Sequence, residues 1–87
     1  MTYRVEFTEA AVQDLSALPR NILSRVHTRI LSLADRPRPR GSILLQGSRS
    51  LRRLRVGAYR VIYQVDDARQ VVTIARVRHR GEAYRGL

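Results

Sequence analysis

A run of alternating apolar and polar residues fills the C-terminal part of the chain and constrains the fold more than any other feature. Residues 51–84 read LRRLRVGAYRVIYQVDDARQVVTIARVRHRGEAY. A period of two predicts strands, and the pairs Gly57–Ala58 and Asp66–Asp67 predict tight turns between them. Strands joined by such short turns pair antiparallel. Strict alternation along the last strand would place Val72, Ile74, Arg76 and Arg78 on one face, which begins apolar and becomes basic.

The N-terminal half predicts a strand followed by two helices. Residues 3–7 alternate Tyr-Arg-Val-Glu-Phe, which indicates a half-buried strand. Thr8 suits a helix N-cap, and the apolar stripe Ala11, Val12, Leu15 and Leu18 predicts a short amphipathic helix. Pro19 separates this helix from a second one over residues 20–34. Residues 35–42 contain two prolines and a glycine and predict an extended loop, and residues 43–45 supply a short apolar anchor.

The order β-α-α-β-β-β predicts one α+β domain spanning residues 1–87. Its architecture would be a small antiparallel sheet with an N-terminal helical hairpin packed on one face. One sheet face would be apolar throughout. The opposite face would be apolar at one end and basic at the other.

The charge distribution points to a polyanionic partner. The chain has a net charge of +10, and all 17 of its basic residues are arginines. Residues 1–35 are neutral overall, whereas residues 36–65 contain eight arginines and no acidic residue. A concentrated positive field attracts nucleic acid or an acidic protein. Basic composition also keeps a small domain soluble, although solubility alone does not explain the asymmetry.

Several classes of function lack their sequence signals. The chain has no cysteine, and no spacing of histidines and carboxylates suggests a metal site. No glycine-rich phosphate loop or nucleophile elbow is present. No apolar run approaches the ~20 residues of a membrane span. We therefore expect a cytoplasmic protein with no cofactor, no metal and no membrane association.

The residues that can carry chemistry lie on and after the predicted C-terminal strands. Arginine binds phosphate and neutralises charge on a pentacoordinate transition state, whereas tyrosine or histidine can transfer the proton. An aromatic ring beside guanidinium groups can also stack on an unpaired RNA base. A basic sheet face can bind nucleic acid without cutting it, so the residue types alone leave both functions open. The candidates are Arg53, Arg55, Arg60, Arg76, Arg78, His79, Arg80, Tyr84 and Arg85.

Two segments, LRVGAYRVIYQVDD and VVTIARVRHRGEAYR, resemble the C-terminal half of the RelE/ParE superfamily of type II toxins. The N-terminal strand and helical hairpin fit the same superfamily, so the resemblance covers nearly the whole chain. It implies a RelE-like fold related to small microbial ribonucleases. In the RelE branch, favoured by the motifs, it also implies metal-independent cleavage of mRNA on the ribosome. An acidic antitoxin would then be the cognate protein partner.

The resemblance implies a role for five residues in catalysis. Arg60 matches a phosphate-binding arginine, and Arg80 matches an arginine that stabilises the transition state. Tyr84 matches a C-terminal tyrosine that stacks on the base and shares in proton transfer. Arg53 stands where some members have a catalytic lysine, which makes His79 the natural substitute base. The remaining arginines are expected to bind RNA: Arg55, Arg76, Arg78 and Arg85.

Two alternatives share this pattern. A ParE-like toxin would inhibit DNA gyrase by binding and would need no catalytic residues. A non-catalytic RNA-binding module would bind RNA with steep salt dependence and would cut nothing. The set of Arg60, Arg80 and Tyr84 favours the nuclease, because a protein that only binds has no need of it.

Overall fold

A computed structural model describes residues 2–82 of the chain. Two helices follow the first strand, and four more strands complete a single sheet. The elements in order are β1 (Arg4–Phe7), α1 (Glu9–Ser16), α2 (Arg20–Ser32), β2 (Ile43–Leu44), β3 (Leu51–Val56), β4 (Tyr59–Asp66) and β5 (Val71–His79).

The sheet has the strand order β1-β5-β4-β3-β2 and is mixed. Strands β2 to β5 pair antiparallel, as predicted, whereas β1 lies parallel to β5. The two helices provide the crossover that a parallel pair requires. The expectation of a wholly antiparallel sheet was therefore wrong for β1. The apolar anchor at residues 43–45 contributes an additional short edge strand, since Ile43 and Leu44 pair with β3.

The helices cover one face of the sheet and form the core with it. Val26 and Ile30 of α2 are fully buried against β-strand residues such as Leu54, Val61 and Tyr63. The α+β class and the packing of a helical hairpin on one face are thus confirmed. One predicted member of the α1 stripe is not in the core, because Val12 is 53% exposed.

Local signals account for the boundaries of the elements. The Thr8 hydroxyl caps α1 by accepting a hydrogen bond from the Ala11 backbone N–H at 3.1 Å. The turn between β3 and β4 contains Gly57 at φ +58°, a left-handed conformation that glycine adopts readily. This turn sets the register of the two strands and places Arg55 directly opposite Arg60.

A β-bulge changes the phase of β5. Ile62 pairs with Arg76 but the next residue, Tyr63, pairs with Ile74, so Ala75 is the additional residue of the bulge. Val72 and Ile74 face the helices before the bulge, and Val77 faces them after it. The strict alternation predicted for this strand was wrong because of this one additional residue. Arg78 consequently lies on the face opposite the apolar core residues, together with Arg60.

Candidate functional site

Three arginines form a row across the middle strands on the face opposite the helices. Arg55, Arg60 and Arg78 are direct cross-strand partners. Side chains in such positions have Cβ atoms about 4.5–5.5 Å apart, and like charges directly opposite each other destabilise a sheet. A bound anion would offset this repulsion. We call these three residues the arginine row.

Backbone carbonyl oxygens hold two members of the row. Arg60 Nη1 donates to the carbonyl oxygens of Gly57 and Tyr59 at 3.2 and 3.0 Å. Arg78 Nη1 donates to the carbonyl oxygen of Glu82 at 3.2 Å. These contacts orient the two guanidinium groups on the surface of the sheet.

Arg80 and Arg53 extend the row at its two sides. The Arg80 backbone N–H donates to the Ala58 carbonyl oxygen at 2.7 Å, which continues the pairing of β4 and β5 past the end of β5. Arg80 comes two residues after Arg78, just past the end of β5, and strand alternation places Arg53 on the same face as Arg55. Arg53 pairs with Ile62, and its buried Nε has no hydrogen-bond partner. We call Arg53, Arg80 and the arginine row the arginine face.

Part of this positive charge has no counter-charge among the described residues. Among residues 2–82, no carboxylate lies within ion-pair distance of Arg53, Arg55 or Arg80. The same part of the chain contains no group of histidine, cysteine or acidic residues that could hold a metal ion. The arginine face is therefore an open cationic surface whose ligand should carry negative charge.

His79 does not lie with the predicted catalytic arginines. It pairs with Tyr59 and shares the helix-bearing face with Val56 and Val77. Its ring stands edge-to-face against Tyr59, with ring centroids 5.4 Å apart at 89°. The Gly81 backbone N–H approaches Nδ1 at 3.4 Å. This position separates the imidazole from the arginine face.

Arg76, which was predicted to bind RNA, forms an ion pair with a carboxylate of α1. Its Nε and Nη2 donate to the two carboxylate oxygens of Asp14 on α1 at 2.8 and 3.1 Å. The hydrogen bond from Arg76 to Asp14 raises the arginine pKa. Burial works to raise the pKa of the Asp14 carboxyl, but the hydrogen bonds from Arg76 and from the Val77 backbone outweigh it and hold that pKa below its usual range.

The remaining predicted residues, Tyr84 and Arg85, lie outside the described residues.

A cleft of about 790 Å³ opens beside Arg53, between β2, the following loop and β3. Ile43, Leu44 and Leu51 line its apolar side, and Ile43 and Leu44 are about half exposed. The sequence indicated the apolar residues of this cleft but not that they would stand next to Arg53.

Fold and surface together define a class: a small α+β protein in which a helical hairpin covers one side of a sheet and arginines occupy the other. The family model of the ParE toxin of type II toxin–antitoxin systems (parDE) matches residues 5–84, and the chain belongs to this family within the RelE/ParE superfamily. It is thus a toxin of a type II toxin–antitoxin system. No helix among the described residues is long and apolar enough to cross a membrane.

Relatives with RelE-type names resemble the chain over nearly its full length. Toxin RelG of Mycobacterium tuberculosis is 40% identical, with 98% of this chain and 99% of that protein covered. The structure of the RelBE2 toxin–antitoxin complex from the same organism contains a chain that superposes with a TM-score of 0.82 at 35% identity, covering 92% of this chain and 100% of that one. An archaeal RelE–RelB complex from Pyrococcus horikoshii OT3 gives 0.81 at 36% identity, covering 95% and 100%.

Proposed function

We propose that this toxin is a metal-independent endoribonuclease that cleaves mRNA on the ribosome. The observation that carries the proposal is the arginine face, in which cross-strand pairing gathers arginines of β3, β4 and β5 on one side of the sheet. A scissile phosphodiester carries one negative charge, and a second negative charge develops as it becomes pentacoordinate. Preorganised guanidinium groups stabilise that change in charge.

The reaction is a transesterification within one nucleotide. The 2′-hydroxyl oxygen forms a bond to the adjacent phosphorus, and the bond from phosphorus to the 5′-oxygen of the next nucleotide breaks. The products are a 2′,3′-cyclic phosphate and a 5′-hydroxyl end, and water can later open the cyclic ester to a 3′ phosphate. Arg60 and Arg80 hold the non-bridging oxygens, and Arg53 adds charge from the neighbouring strand.

Two protons must move in this reaction, and we assign their transfer to Tyr84 in preference to His79. A base takes the proton of the 2′-hydroxyl, and an acid gives one to the departing 5′-oxygen. His79 packs against Tyr59 on the opposite face of the sheet, away from the arginines. The role proposed for Tyr84 is based on its match to the superfamily motif, in which this tyrosine also stacks on the RNA base. Arg55, Arg78 and Arg85 would bind neighbouring phosphates, whereas the ion pair of Arg76 argues against such a role for that residue.

The ribosome would supply the substrate in an extended, single-stranded form. Sequence-specific proteins read RNA mainly where bases are unstacked, and aromatic or apolar surfaces receive those bases. The cleft beside Arg53 offers such a surface next to the proposed position of the phosphate. Cleavage of free mRNA should therefore be slow.

Primer extension on mRNA in a translating extract tests the proposal. Wild type should produce ribosome-dependent cuts, and Arg80→Ala and Tyr84→Phe should reduce the cleavage rate, by about 100- to 1,000-fold for the arginine. Arg69→Ala is the matched control, because it removes one exposed arginine at the opposite end of β5. A folded wild-type protein that cuts no mRNA with ribosomes present would refute the nuclease.

A second candidate is inhibition of DNA gyrase by binding, since the matching family model is that of ParE. This activity would need the arginine face only as a contact surface. Inhibition of DNA supercoiling at a stoichiometric amount of toxin, without mRNA cleavage, would favour this candidate. A protein that binds RNA, cuts nothing and leaves supercoiling unchanged would correspond to the non-catalytic module.

We also propose that a cognate acidic antitoxin neutralises the toxin. Two similar structures are complexes of RelE and RelB chains. Acidic residues of a partner would pair with residues of the arginine face, and an amphipathic helix would bind apolar surface. The complex with the antitoxin, prepared by co-expression, should protect Arg60 and Arg80 from arginine-specific chemical modification. Equal modification of both residues in the free and bound toxin would contradict this mode of binding.

A further inference from the structure

The Asp14 carboxylate reaches from α1 to the end of β5 and makes three hydrogen bonds there. It accepts two from Arg76 and a third, at 2.9 Å, from the Val77 backbone N–H. Its side chain is 16% exposed. A helix side chain that satisfies a strand N–H is unusual, because strands normally obtain this contact from a neighbouring strand.

The location of Asp14 explains why the contact is needed. Strand β1 pairs with the first part of β5 only, from Val71 to Ile74. The chain then turns away at Thr8, whose hydroxyl donates to the Ala75 carbonyl oxygen at 2.8 Å. Beyond this point β5 has no strand on that side, and Asp14 takes the place of one. The same stretch contains the bulge, which leaves ladder groups unpaired.

The segment that Asp14 holds leads directly into the arginine face. Val77 is followed by Arg78, His79 and Arg80. A shift of β5 at Val77 would therefore move two of the five arginines relative to Arg60 on β4.

We propose that Asp14 is a positioning residue for phosphate cleavage: by bonding Val77 and Arg76, it fixes the end of β5 so that Arg78 and Arg80 meet the phosphate together with Arg60. The proposal rests on the proposed nuclease function. It also assigns Arg76 to the support of this strand rather than to RNA.

A second carboxylate, which lies beside the β4–β5 pair, provides a matched control. Asp67, in the turn between β4 and β5, accepts two hydrogen bonds from Arg38 at 3.1 and 2.8 Å and one from Tyr3 Oη at 2.6 Å. It therefore has the same number of bonds and the same type of ion pair as Asp14. It lies at the opposite end of the strand pair, away from the arginine face. Asp67 is the more exposed of the two, at 57% against 16% for Asp14, so its replacement should cost less stability. The comparison therefore uses rate constants of folded protein, which a purely stabilising role would leave unchanged in both variants.

The experiment compares Asp14→Asn with Asp67→Asn in single-turnover cleavage on programmed ribosomes, at a temperature where both variants are folded. Asparagine keeps one oxygen for the Val77 N–H and Arg76 Nε, but its NH2 group then faces Arg76 Nη2, which is a contact between two donors. Because small misplacement of a catalytic group is costly, we expect the cleavage rate constant of Asp14→Asn to fall by about 10- to 100-fold. Its half-saturating toxin concentration should change less than the rate constant, and Asp67→Asn should retain the wild-type rate constant. Asp14→Glu, which keeps the charge, should recover part of the rate.

Amide hydrogen exchange provides a readout that does not depend on cleavage. Exchange at residues 77–80 should accelerate in Asp14→Asn and stay unchanged in Asp67→Asn. Equal rate constants for the two variants, or a change confined to the half-saturating concentration, would overturn the positioning role and leave the nuclease standing. A wild type that cleaves nothing would overturn both proposals.

Discussion

The hydroxyl of Tyr63 is a sensitive test of how the core holds the arginine-rich loop between α2 and β2. Tyr63 is fully buried, and its hydroxyl donates to the Pro37 carbonyl oxygen at 2.7 Å. Tyr63→Phe removes this one bond and keeps the ring. A net contribution of about 1 kcal/mol is typical of such a bond. For a domain of this size, that loss lowers Tm by about 4–8 °C.

Calorimetric or circular-dichroism melting of three variants separates the hydroxyl from the ring. Tyr59→Phe is the control, because the hydroxyl of Tyr59 makes no hydrogen bond with the described residues; its effect should stay within about 0.5 kcal/mol. Tyr63→Ala removes the ring as well and should cost about 3–5 kcal/mol, a large part of the stability of a small domain. An unchanged Tm for Tyr63→Phe would show that the bond to Pro37 contributes nothing, and the loop would then need another anchor.

Three further predictions concern charge, pH and backbone strain. If each arginine of the row contacts one phosphate, Arg55→Ala should make the plot of log affinity for single-stranded RNA against log salt concentration less steep by about 0.7. Fluorescence anisotropy measures this slope, and an unchanged slope would show that Arg55 does not contact the RNA. The hydrogen bond from Arg38, and after it the one from Tyr3, lowers the pKa of Asp67. The ionised carboxylate therefore stabilises the fold at pH values above its unfolded pKa of about 3.9, and this stabilisation is lost as pH falls through the lower pKa of the folded state. The Tm difference between wild type and Asp67→Asn should accordingly be larger at pH 7 than near pH 2, and a constant difference would refute the linkage. Gly57→Ala should lower Tm, because a non-glycine residue is strained at φ +58° and its Cβ would lie 3.4 Å from Nη2 of Arg25; a neutral or stabilising effect would show that the turn relaxes at no cost.

The sequence predicted the elements well because their signals are local. Alternation indicated the strands, and the cap at Thr8 and the break at Pro19 marked the helices. The short turn at Gly57 also determines which residues face each other on β3 and β4. The pairing of Arg55 with Arg60 could therefore be predicted from the sequence.

The features that were not predicted depend on contacts between distant parts of the chain. Alternation identifies a strand but not its neighbour, so the parallel pairing of β1 with β5 had no signal. A bulge adds one residue without changing composition, so the phase change at Ala75 was invisible as well. The contact of Asp14 with Arg76 spans 62 positions. Nothing in either local pattern points to the other residue.

The pairing of the first strand with the last has a consequence for how the protein is made. Within the sheet β1 pairs only with β5, and its Arg4 pairs with Val71, 67 positions later in the chain. The first strand therefore has no partner in the sheet until β5 has been synthesised. Contacts between residues so far apart in sequence also form slowly. Arg78 belongs to β5 and Arg80 follows it, so the arginine face is incomplete until this strand has joined the sheet.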